Sequence, residues 1–306
     1  MKRIPLLILL LVVARQLGAQ RTKRVAPSGV MSHAARVIDS VGKALSGRVG
    51  VAAMIVETGD LLMLHGNERF PMQSVYKLPI AMAVLRQVDA DKLRLGHVVH
   101  VRKQDMVQNV GSPMRDRTPN GTDATVRELL RAMIVESDGT ASDVLLSLVP
   151  AADVTSMLKK FGVDSMRVTT TERAMAANTM TQYQNWSTPG AAVQLLRLLQ
   201  QGHAISASSR ALLLSWMTET TTGLRRIRGG LPPGTVVADK TGTDGTHHGL
   251  TRATNDIGIA TLPDGRHLAI AVFVRDSRGT AAGREAAIAK IARAAWDAAS
   301  APARHR

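Results

Sequence analysis

The stretch Ser74-Val75-Tyr76-Lys77 stands at the start of a segment, residues 78–88, whose apolar spacing predicts a helix. Three positions apart, the Ser74 hydroxyl and the Lys77 amine lie on one face of such a helix. A serine becomes a good nucleophile when a nearby base takes its proton, and a lysine can do so when burial or neighbouring positive charge lowers its pKa. Because a Ser-x-x-Lys pattern occurs by chance in many helices, this interpretation needs further motifs.

Two further motifs lie downstream at long spacings. Ser137-Asp138-Gly139 falls between two predicted helices, 63 positions after Ser74. Lys240-Thr241-Gly242-Thr243 follows 103 positions after Ser137, where a predicted strand, residues 235–238, ends. The glycine of this last motif lets a ligand approach the strand closely, and its lysine and threonines can hold a carboxylate. The order and spacing of the three motifs indicate one active site assembled from distant parts of the chain.

Strand patterns occupy the two ends of the chain, and helical patterns occupy its middle. The predicted strands are residues 49–56, 61–64, 256–262 and 267–274, and the second pair is joined by the turn Pro263-Asp264-Gly265. The predicted helices are residues 31–46, 126–134, 142–148, 152–160, 189–200 and 281–299. Strand segments so far apart must pair in one sheet, so the middle, approximately residues 74–226, is a helical insertion with a cleft where the two parts meet.

Composition excludes several kinds of chemistry. The chain has 306 residues and no cysteine, which rules out disulfides, thiolate metal sites and a cysteine nucleophile. Aromatic residues make up only 3%, so base-stacking platforms for nucleic acid are not expected. The formal net charge of +15 fits an anionic partner or substrate.

The first nineteen residues have the pattern of a secretory signal. Lys2 and Arg3 precede an apolar run, residues 4–14, and small residues follow near Ala19. Removing this segment takes away Lys2, Arg3 and Arg15 and no acid, leaving +12. The run is too short to span a bilayer, so we expect a secreted, periplasmic chain with no membrane anchor and no nucleic-acid partner.

By its three motifs the chain resembles the class A serine β-lactamases. Its local sequences resemble most the PER-like extended-spectrum branch, at residues 70–77, 181–186 and 254–256. The resemblance covers essentially all of the chain after the signal. It implies an α/β fold in which an antiparallel sheet flanked by helices is joined to an all-helical subdomain, with the active site in the cleft between them. One domain, residues 20–306, then divides into an α/β part, approximately residues 30–70 and 227–300, and a helical part, approximately residues 71–226.

The resemblance also implies a set of catalytic roles. Ser74 is the nucleophile that forms an acyl-enzyme, Lys77 is a candidate base for that step, and Ser137 relays a proton to the β-lactam nitrogen. Glu172, in the segment Thr171-Glu172-Arg173, matches the omega-loop glutamate that activates the water for deacylation. Whether lysine or glutamate is the base for acylation stays open.

Substrate binding is assigned in the same way. Lys240, Thr241 and Thr243 contact the substrate carboxylate, Gly242 permits the close approach, and the backbone N–H groups of Ser74 and Thr243 form an oxyanion hole.

One arginine is assigned to the carboxylate site. Arg226 matches the arginine that this branch uses there, and it is preferred to Arg225 and Arg228 only for its distance before Lys240. A solvated basic turn is the alternative for any one of the three.

Two departures from the family pattern affect expected turnover. Gly139 stands where the family usually has asparagine, and Ala176 stands where it has asparagine or histidine, four positions after Glu172. One lost hydrogen bond to a partly charged centre typically slows a step by roughly ten- to a hundred-fold. We therefore expect acylation by β-lactams and slower turnover.

Other functions stay open at this stage. The first is a penicillin-binding or sensor protein that is acylated with little turnover, which Gly139 and Ala176 favour. The second is a D-alanyl-D-alanine carboxypeptidase, against which Glu172 argues. The third, a basic anion-binding protein, explains the charge but not the three motifs. No metal or other cofactor is expected, since the adjacent residues His247 and His248 point to opposite faces of a strand. A monomer is the family's default.

Overall fold

The structure is a computed structural model that describes residues 29–301. The expected signal segment, residues 1–19, lies outside the described residues. The helices are α1 Gly29–Ala44, α2 Lys77–Asp89, α3 Pro113–Arg117, α4 Val126–Val135, α5 Gly139–Leu148, α6 Ala151–Lys160, α7 Glu172–Ala177, α8 Pro189–Gln201, α9 Ala207–Glu219, α10 Ile227–Gly230 and α11 Ala281–Ser300. The strands are β1 Arg48–Ile55, β2 Leu61–Leu64, β3 Phe70–Pro71, β4 Val98–Arg102, β5 Gly121–Thr125, β6 Met166–Arg167, β7 Trp186–Ser187, β8 Val237–Thr243, β9 Thr246–His247, β10 Leu250–Thr261 and β11 His267–Ser277.

The main sheet joins strands from the two ends of the chain. Its order is β2-β1-β11-β10-β8, with β9 paired to β10, and every pair is antiparallel. The predicted hairpin between β10 and β11 is confirmed, with Thr261 opposite His267 and Gly265 in the left-handed region at φ 85°. Both strands are buried along most of their length, because helices cover both faces of the sheet.

Strand β8 differs from its prediction. It spans Val237–Thr243, whereas the sequence predicted residues 235–238 with Lys240 after the strand's end. Lys240 instead lies inside the strand and pairs with Ile257 of β10. Sheet pairing with β10 extends the strand through the Lys240–Thr243 motif, which local propensity did not reveal.

Two apolar clusters pack the faces of the sheet. One cluster lies between the sheet and the helices α1 and α11, and it includes Ile38, Val272 and Trp296. The other joins the opposite face of the sheet to the helical part, and it includes Phe273 of β11 and Leu196 of α8. The two parts of the fold therefore share one core.

The helical part is not all-helical, which corrects the sequence prediction. Strands β4 and β5 form a small antiparallel sheet within it, with Val101 opposite Thr122. Its β-branched residues favour strand structure. Directly after β5, Thr125 and Glu128 form a reciprocal capping box that starts α4. Helix α9, Ala207–Glu219, was also not predicted.

A third small sheet closes the base of a long loop. Strand β7 pairs with both β3 and β6, so that Trp186 lies opposite Pro71 and Arg167. The loop between β6 and β7, residues 168–185, carries Glu172, and we refer to it below by the name omega loop that the sequence resemblance implied. Because β3 leads directly into the turn that carries Ser74, the same sheet fixes both the loop and the turn.

No single helix within residues 29–301 is long and apolar enough to cross a membrane. The helices α5 and α6 have the necessary length and composition only together, and they are bent by 77° at their junction.

Candidate active site

Ser74 lies in a tight 3₁₀ turn, Gln73–Tyr76, that runs into helix α2. Gln73 has a left-handed backbone with φ 47°, a conformation that costs a non-glycine residue free energy and needs support from its surroundings. Asn255 of β10 gives that support, because its Nδ2 donates to the carbonyls of Pro71 (2.8 Å) and Met72 (3.0 Å).

Gly242 brings strand β8 against the same turn. A Cβ at position 242 would lie 2.3 Å from the Met72 carbonyl oxygen and 3.2 Å from Ser74 N. The glycine is therefore required by the close approach of the protein's own backbone, whereas the sequence analysis attributed it to the approach of a ligand. The sequence placed Asn255 in a matching segment but gave it no role.

Ser74, Lys77 and Glu172 are brought into contact. Lys77 Nζ lies 3.1 Å from Ser74 Oγ and 2.9 Å from Glu172 Oε1, and it donates to the Ser137 carbonyl at 2.6 Å. Lys77 is 1% and Glu172 5% exposed. The Lys77–Glu172 contact is an ion pair of poor hydrogen-bond angle, so Glu172 Oε1 has no aligned donor. The hydroxyl, the amine and the carboxylate therefore form one line of polar contacts with the amine in the middle.

Ser137 and Lys240 form the opposite side of the site. Lys240 Nζ donates to Ser137 Oγ at 2.8 Å and to the Thr241 carbonyl at 3.1 Å. Burial, followed by the positive charge of Lys77, lowers the pKa of Lys240 to about 7. Asp138 caps α5 through Ala141 N (2.8 Å), which holds the loop that presents Ser137.

Of the three candidate arginines, only Arg226 reaches the end of β8. Its Nη2 donates to Thr243 Oγ1 at 2.7 Å, and its Nη1 donates to the Asn255 carbonyl at 2.9 Å. Arg225 has an 85% exposed side chain, and Arg228 is held by Asp239 through Nε at 2.7 Å. The exposed residue Thr243 therefore stands beside a buried guanidinium.

Thr241 lies on the other flank of the strand end. Its hydroxyl is 2.8 Å from that of Thr222, and either oxygen could be the donor.

The omega loop is held by Asp143, which the sequence did not single out, and by Asn185, which with Thr170 stands where the family usually has the arginine–aspartate pair that pins this loop. Asp143 accepts from Glu172 N (2.8 Å) and Arg173 N (2.9 Å), and burial raises its pKa to about 6. Asn185 accepts from the backbone N–H of Thr169 (2.8 Å) and Thr170 (3.0 Å), and it donates to the Thr170 carbonyl (2.9 Å). The position of Asp143, one helical turn after Gly139 on α5, is a signal that could have found it.

The sequence profile of the beta-lactamase enzyme family matches residues 33–299. The chain belongs to this β-lactamase family. It is a class A β-lactamase of the PER-like kind, as its motifs predicted, and the α/β fold predicted with it is confirmed.

Named relatives agree with this assignment. This β-lactamase is 42% identical over 262 residues to the extended-spectrum beta-lactamase PER-1 of Pseudomonas aeruginosa, covering 85% of each chain. It is 38% identical over 263 residues to beta-lactamase VEB-1 of the same organism, covering 85% of this chain and 88% of VEB-1. The crystal structure of a beta-lactamase from Chitinophaga pinensis superposes with a TM-score of 0.85 at 47% identity, covering 87% of this chain and 99% of the other. These relatives give no support to the penicillin-binding and carboxypeptidase alternatives.

At Gly139, where the family usually has asparagine, this β-lactamase packs Val110 against the backbone. A Cβ there would lie 2.7 Å from Val110 Cγ2 and 3.4 Å from Glu172 Cγ, and Gly139 N donates to the Gly111 carbonyl at 2.9 Å. The loop that carries Val110 therefore packs where an asparagine side chain would begin.

Asn178, two residues after Ala176, could replace the asparagine or histidine that the family usually has there only if the loop were rearranged. Its Oδ1 accepts from Met180 N at 3.0 Å and caps the 3₁₀ turn Thr179–Gln184.

No group of three or more His, Cys, Asp or Glu side chains in the described part of the chain is placed to hold a metal ion. His247 ends strand β9, and His248 has a left-handed backbone with φ 51°.

Proposed function

We propose that this β-lactamase hydrolyses the amide bond of a β-lactam through an acyl-enzyme on Ser74. The observation that carries the proposal is the contact line from Ser74 Oγ to Lys77 Nζ (3.1 Å) and on to Glu172 Oε1 (2.9 Å). Such a line supplies both a base for the nucleophile and a carboxylate for a later water.

In acylation, Ser74 Oγ attacks the β-lactam carbonyl carbon and loses its proton to a base. That base is Lys77 in its neutral form or, in the alternative path, Glu172, which receives the proton by way of Lys77. The backbone N–H groups of Ser74 and Thr243 stabilise the oxyanion. The carbonyl–nitrogen bond then breaks, and the nitrogen takes the proton of the Ser137 hydroxyl, whose oxygen is hydrogen-bonded by Lys240. Ser137 recovers a proton from the base that deprotonated Ser74, so the base is free again and the Ser74 proton is transferred in net to the nitrogen.

The substrate carboxylate is bound at the end of β8. Thr241 and Thr243 offer hydroxyl groups, and Lys240 and Arg226 offer positive charge. Arg226 acts on this site through its hydrogen bond to Thr243 Oγ1. Gly242 keeps the strand close to Ser74, and Gly139 leaves the cleft without the amide that the family usually has.

In deacylation, Glu172 takes a proton from a water that attacks the ester carbonyl carbon. The ester bond breaks, and the proton on Glu172 passes by way of Lys77 to Ser74 Oγ, which restores the free enzyme. Because Glu172 Oε1 has no aligned donor, it can accept from that water. Asp143 and Asn185 hold the loop segment on which Glu172 sits.

We further propose a monomeric, periplasmic enzyme released by cleavage after the signal segment, residues 1–19, and acting in antibiotic resistance. Expression of the full chain in a Gram-negative host, followed by intact mass and size-exclusion chromatography of the periplasmic fraction, tests this. A mass that retains residues 1–19, or elution as a dimer, would contradict it.

A chromogenic cephalosporin, followed by absorbance and by intact mass, tests the proposed reaction. Wild-type protein should turn over, Ser74→Ala should neither turn over nor gain mass, and the control Ser156→Ala, at an exposed position on α6, should behave as wild type. A stable adduct without turnover would favour the penicillin-binding alternative. Neither adduct nor turnover would refute the proposal.

A further inference from the structure

A cavity of about 410 Å³ lies outside the Ser74 site, and Ser74, Lys77 and Lys240 are not among its lining residues. It is bounded by the three-stranded sheet, by both ends of the omega loop and by the end of β11. Its lining residues include Arg69, Arg167, Tyr183, Trp186 and Arg275. Its volume falls in the range of small-molecule sites, roughly 300–1,000 Å³.

Three arginines converge on this cavity from three separate segments. Arg69 precedes β3, Arg167 lies in β6, and Arg275 lies in β11. In the described part of the chain, the side chains of Arg69 and Arg167 have neither an ion pair nor a hydrogen bond to another protein group, so their donors face solvent.

The acidic groups nearby do not balance these charges. Asp276 is 3.8 Å from Arg275 Nε and accepts a hydrogen bond from the Tyr183 hydroxyl. Glu68 forms a salt bridge with Arg48, on the neighbouring strand β1. The Arg48–Glu68 pair is neutral, and Asp276 balances one of the three cavity arginines, which leaves an excess of about two positive charges at the cavity wall.

Aromatic rings fix two of the guanidinium groups. Arg69 Cζ lies 4.1 Å from the centre of the Trp186 ring, and Arg275 Cζ lies 5.3 Å from that of Phe70. Arg275 also donates to the Arg69 carbonyl at 2.6 Å. A guanidinium stacked on a ring keeps its N–H edge free for a bidentate acceptor such as a phosphate.

We propose that this cavity is a second ligand site, which binds a small anion bearing phosphate groups. The arginines bind the phosphate oxygens, and the excess of about two charges favours an anion with at least two negative charges. Such a ligand contacts both ends of the omega loop together with β3, the strand before Ser74. The proposal concerns binding alone, so it stands or falls separately from β-lactam turnover.

Calorimetric titration of the mature protein with inorganic pyrophosphate tests the site. We expect binding that weakens by about ten-fold or more in Arg69→Gln/Arg167→Gln. The control Arg94→Gln/Arg127→Gln removes the same charge from exposed positions in the helical part and should bind as wild type. Unaltered melting temperatures establish that both double variants fold.

Three results would overturn the proposal. They are no binding of pyrophosphate to wild type, equal weakening in both double variants, and loss of binding in Lys240→Gln with retention in Arg69→Gln/Arg167→Gln. The last would assign the anion to the Ser74 site.

Fluorescence gives a local readout of the same site. Trp186 is half-buried at the cavity wall, whereas Trp216 and Trp296 are buried elsewhere, at 3% and 5% exposed. Pyrophosphate should change the emission of wild type, and Trp186→Phe should lose that change while it keeps calorimetric binding. A signal that survives Trp186→Phe would contradict the assignment to this cavity.

Discussion

Lys240 is a fully buried lysine, and burial is the main reason that its pKa is low. Burial and the charge of Lys77 lower its pKa from an ordinary value of 10.5 to about 7. Above pH 7 the free enzyme therefore loses a positive charge from the carboxylate site. Because the folded pKa is lowered, the folded state binds this proton less tightly than the unfolded state, so this group's contribution to stability rises between pH 7 and 10.5.

We expect the KM for a carboxylate-bearing β-lactam to rise as pH increases through about 7. In Lys240→Arg the guanidinium stays charged, so this dependence should be lost. Steady-state kinetics between pH 6 and 9 measure both profiles. The same pH dependence of KM in wild type and in Lys240→Arg would assign the effect to another group.

Gly242 is the residue on which the approach of β8 to the nucleophile turn depends. In Gly242→Ala the new Cβ would lie 2.3 Å from the Met72 carbonyl, so we expect a loss of about 1–3 kcal/mol of stability and a slower acylation. Gly96→Ala, where no atom lies within 4 Å of the new Cβ, is the control. Denaturant unfolding and the rate of adduct formation measure the two effects. If Gly242→Ala and Gly96→Ala have the same stability and the same rate of adduct formation, β8 can move away from the nucleophile turn without loss, which would contradict this role of Gly242.

At the scale of elements, the omega loop is fixed by side chains that bind its backbone. Asp143→Ala removes the acceptor of the backbone N–H groups of Glu172 and Arg173, and a hydrogen bond to a charged group is worth about 1.5–3 kcal/mol. We expect Glu172 to lose its position, so that deacylation slows more than acylation and adduct accumulates. Pre-steady-state mass spectrometry separates the two steps.

The control for this experiment is Asp153→Ala, at an exposed position in the first turn of α6, which should leave both steps unchanged. A variant Asp143→Ala that slows acylation and deacylation equally would mean that Asp143 supports the whole site rather than the loop.

The elements also show which features the sequence could predict. Strands β1, β2, β10 and β11, from the two ends of the chain, and the terminal helices follow from local periodicity. The motifs Ser74–Lys77, Ser137–Gly139 and Lys240–Thr243 follow from residue type and order. Asp143, Asn185 and Asn255 could not be predicted in the same way, because each acts on backbone groups of a segment distant in sequence. The length of β8 was misjudged for a related reason, since pairing with β10 extends it.

At the scale of the whole molecule, the apolar cluster that includes Phe273 and Leu196 joins the sheet to the helical part, so we expect the two parts to unfold together. Trp216 lies in α9 of the helical part, and Trp296 lies in α11 behind the sheet. We expect Trp216→Phe and Trp296→Phe each to unfold in urea in one transition, with the fluorescence of the remaining tryptophans and far-UV circular dichroism giving coincident midpoints. Midpoints that differ between the two probes would indicate that the two parts unfold separately.

The central claim is that Ser74 forms an ester which Glu172 then releases. Intact mass of Glu172→Gln mixed with a cephalosporin tests it most directly, with Glu57→Gln, at the far end of the sheet, as the control. The account predicts an adduct that persists in Glu172→Gln, with release slowed by roughly 10²–10⁴-fold, and free enzyme in the control. Turnover by Glu172→Gln at the wild-type rate, with no adduct, would contradict it.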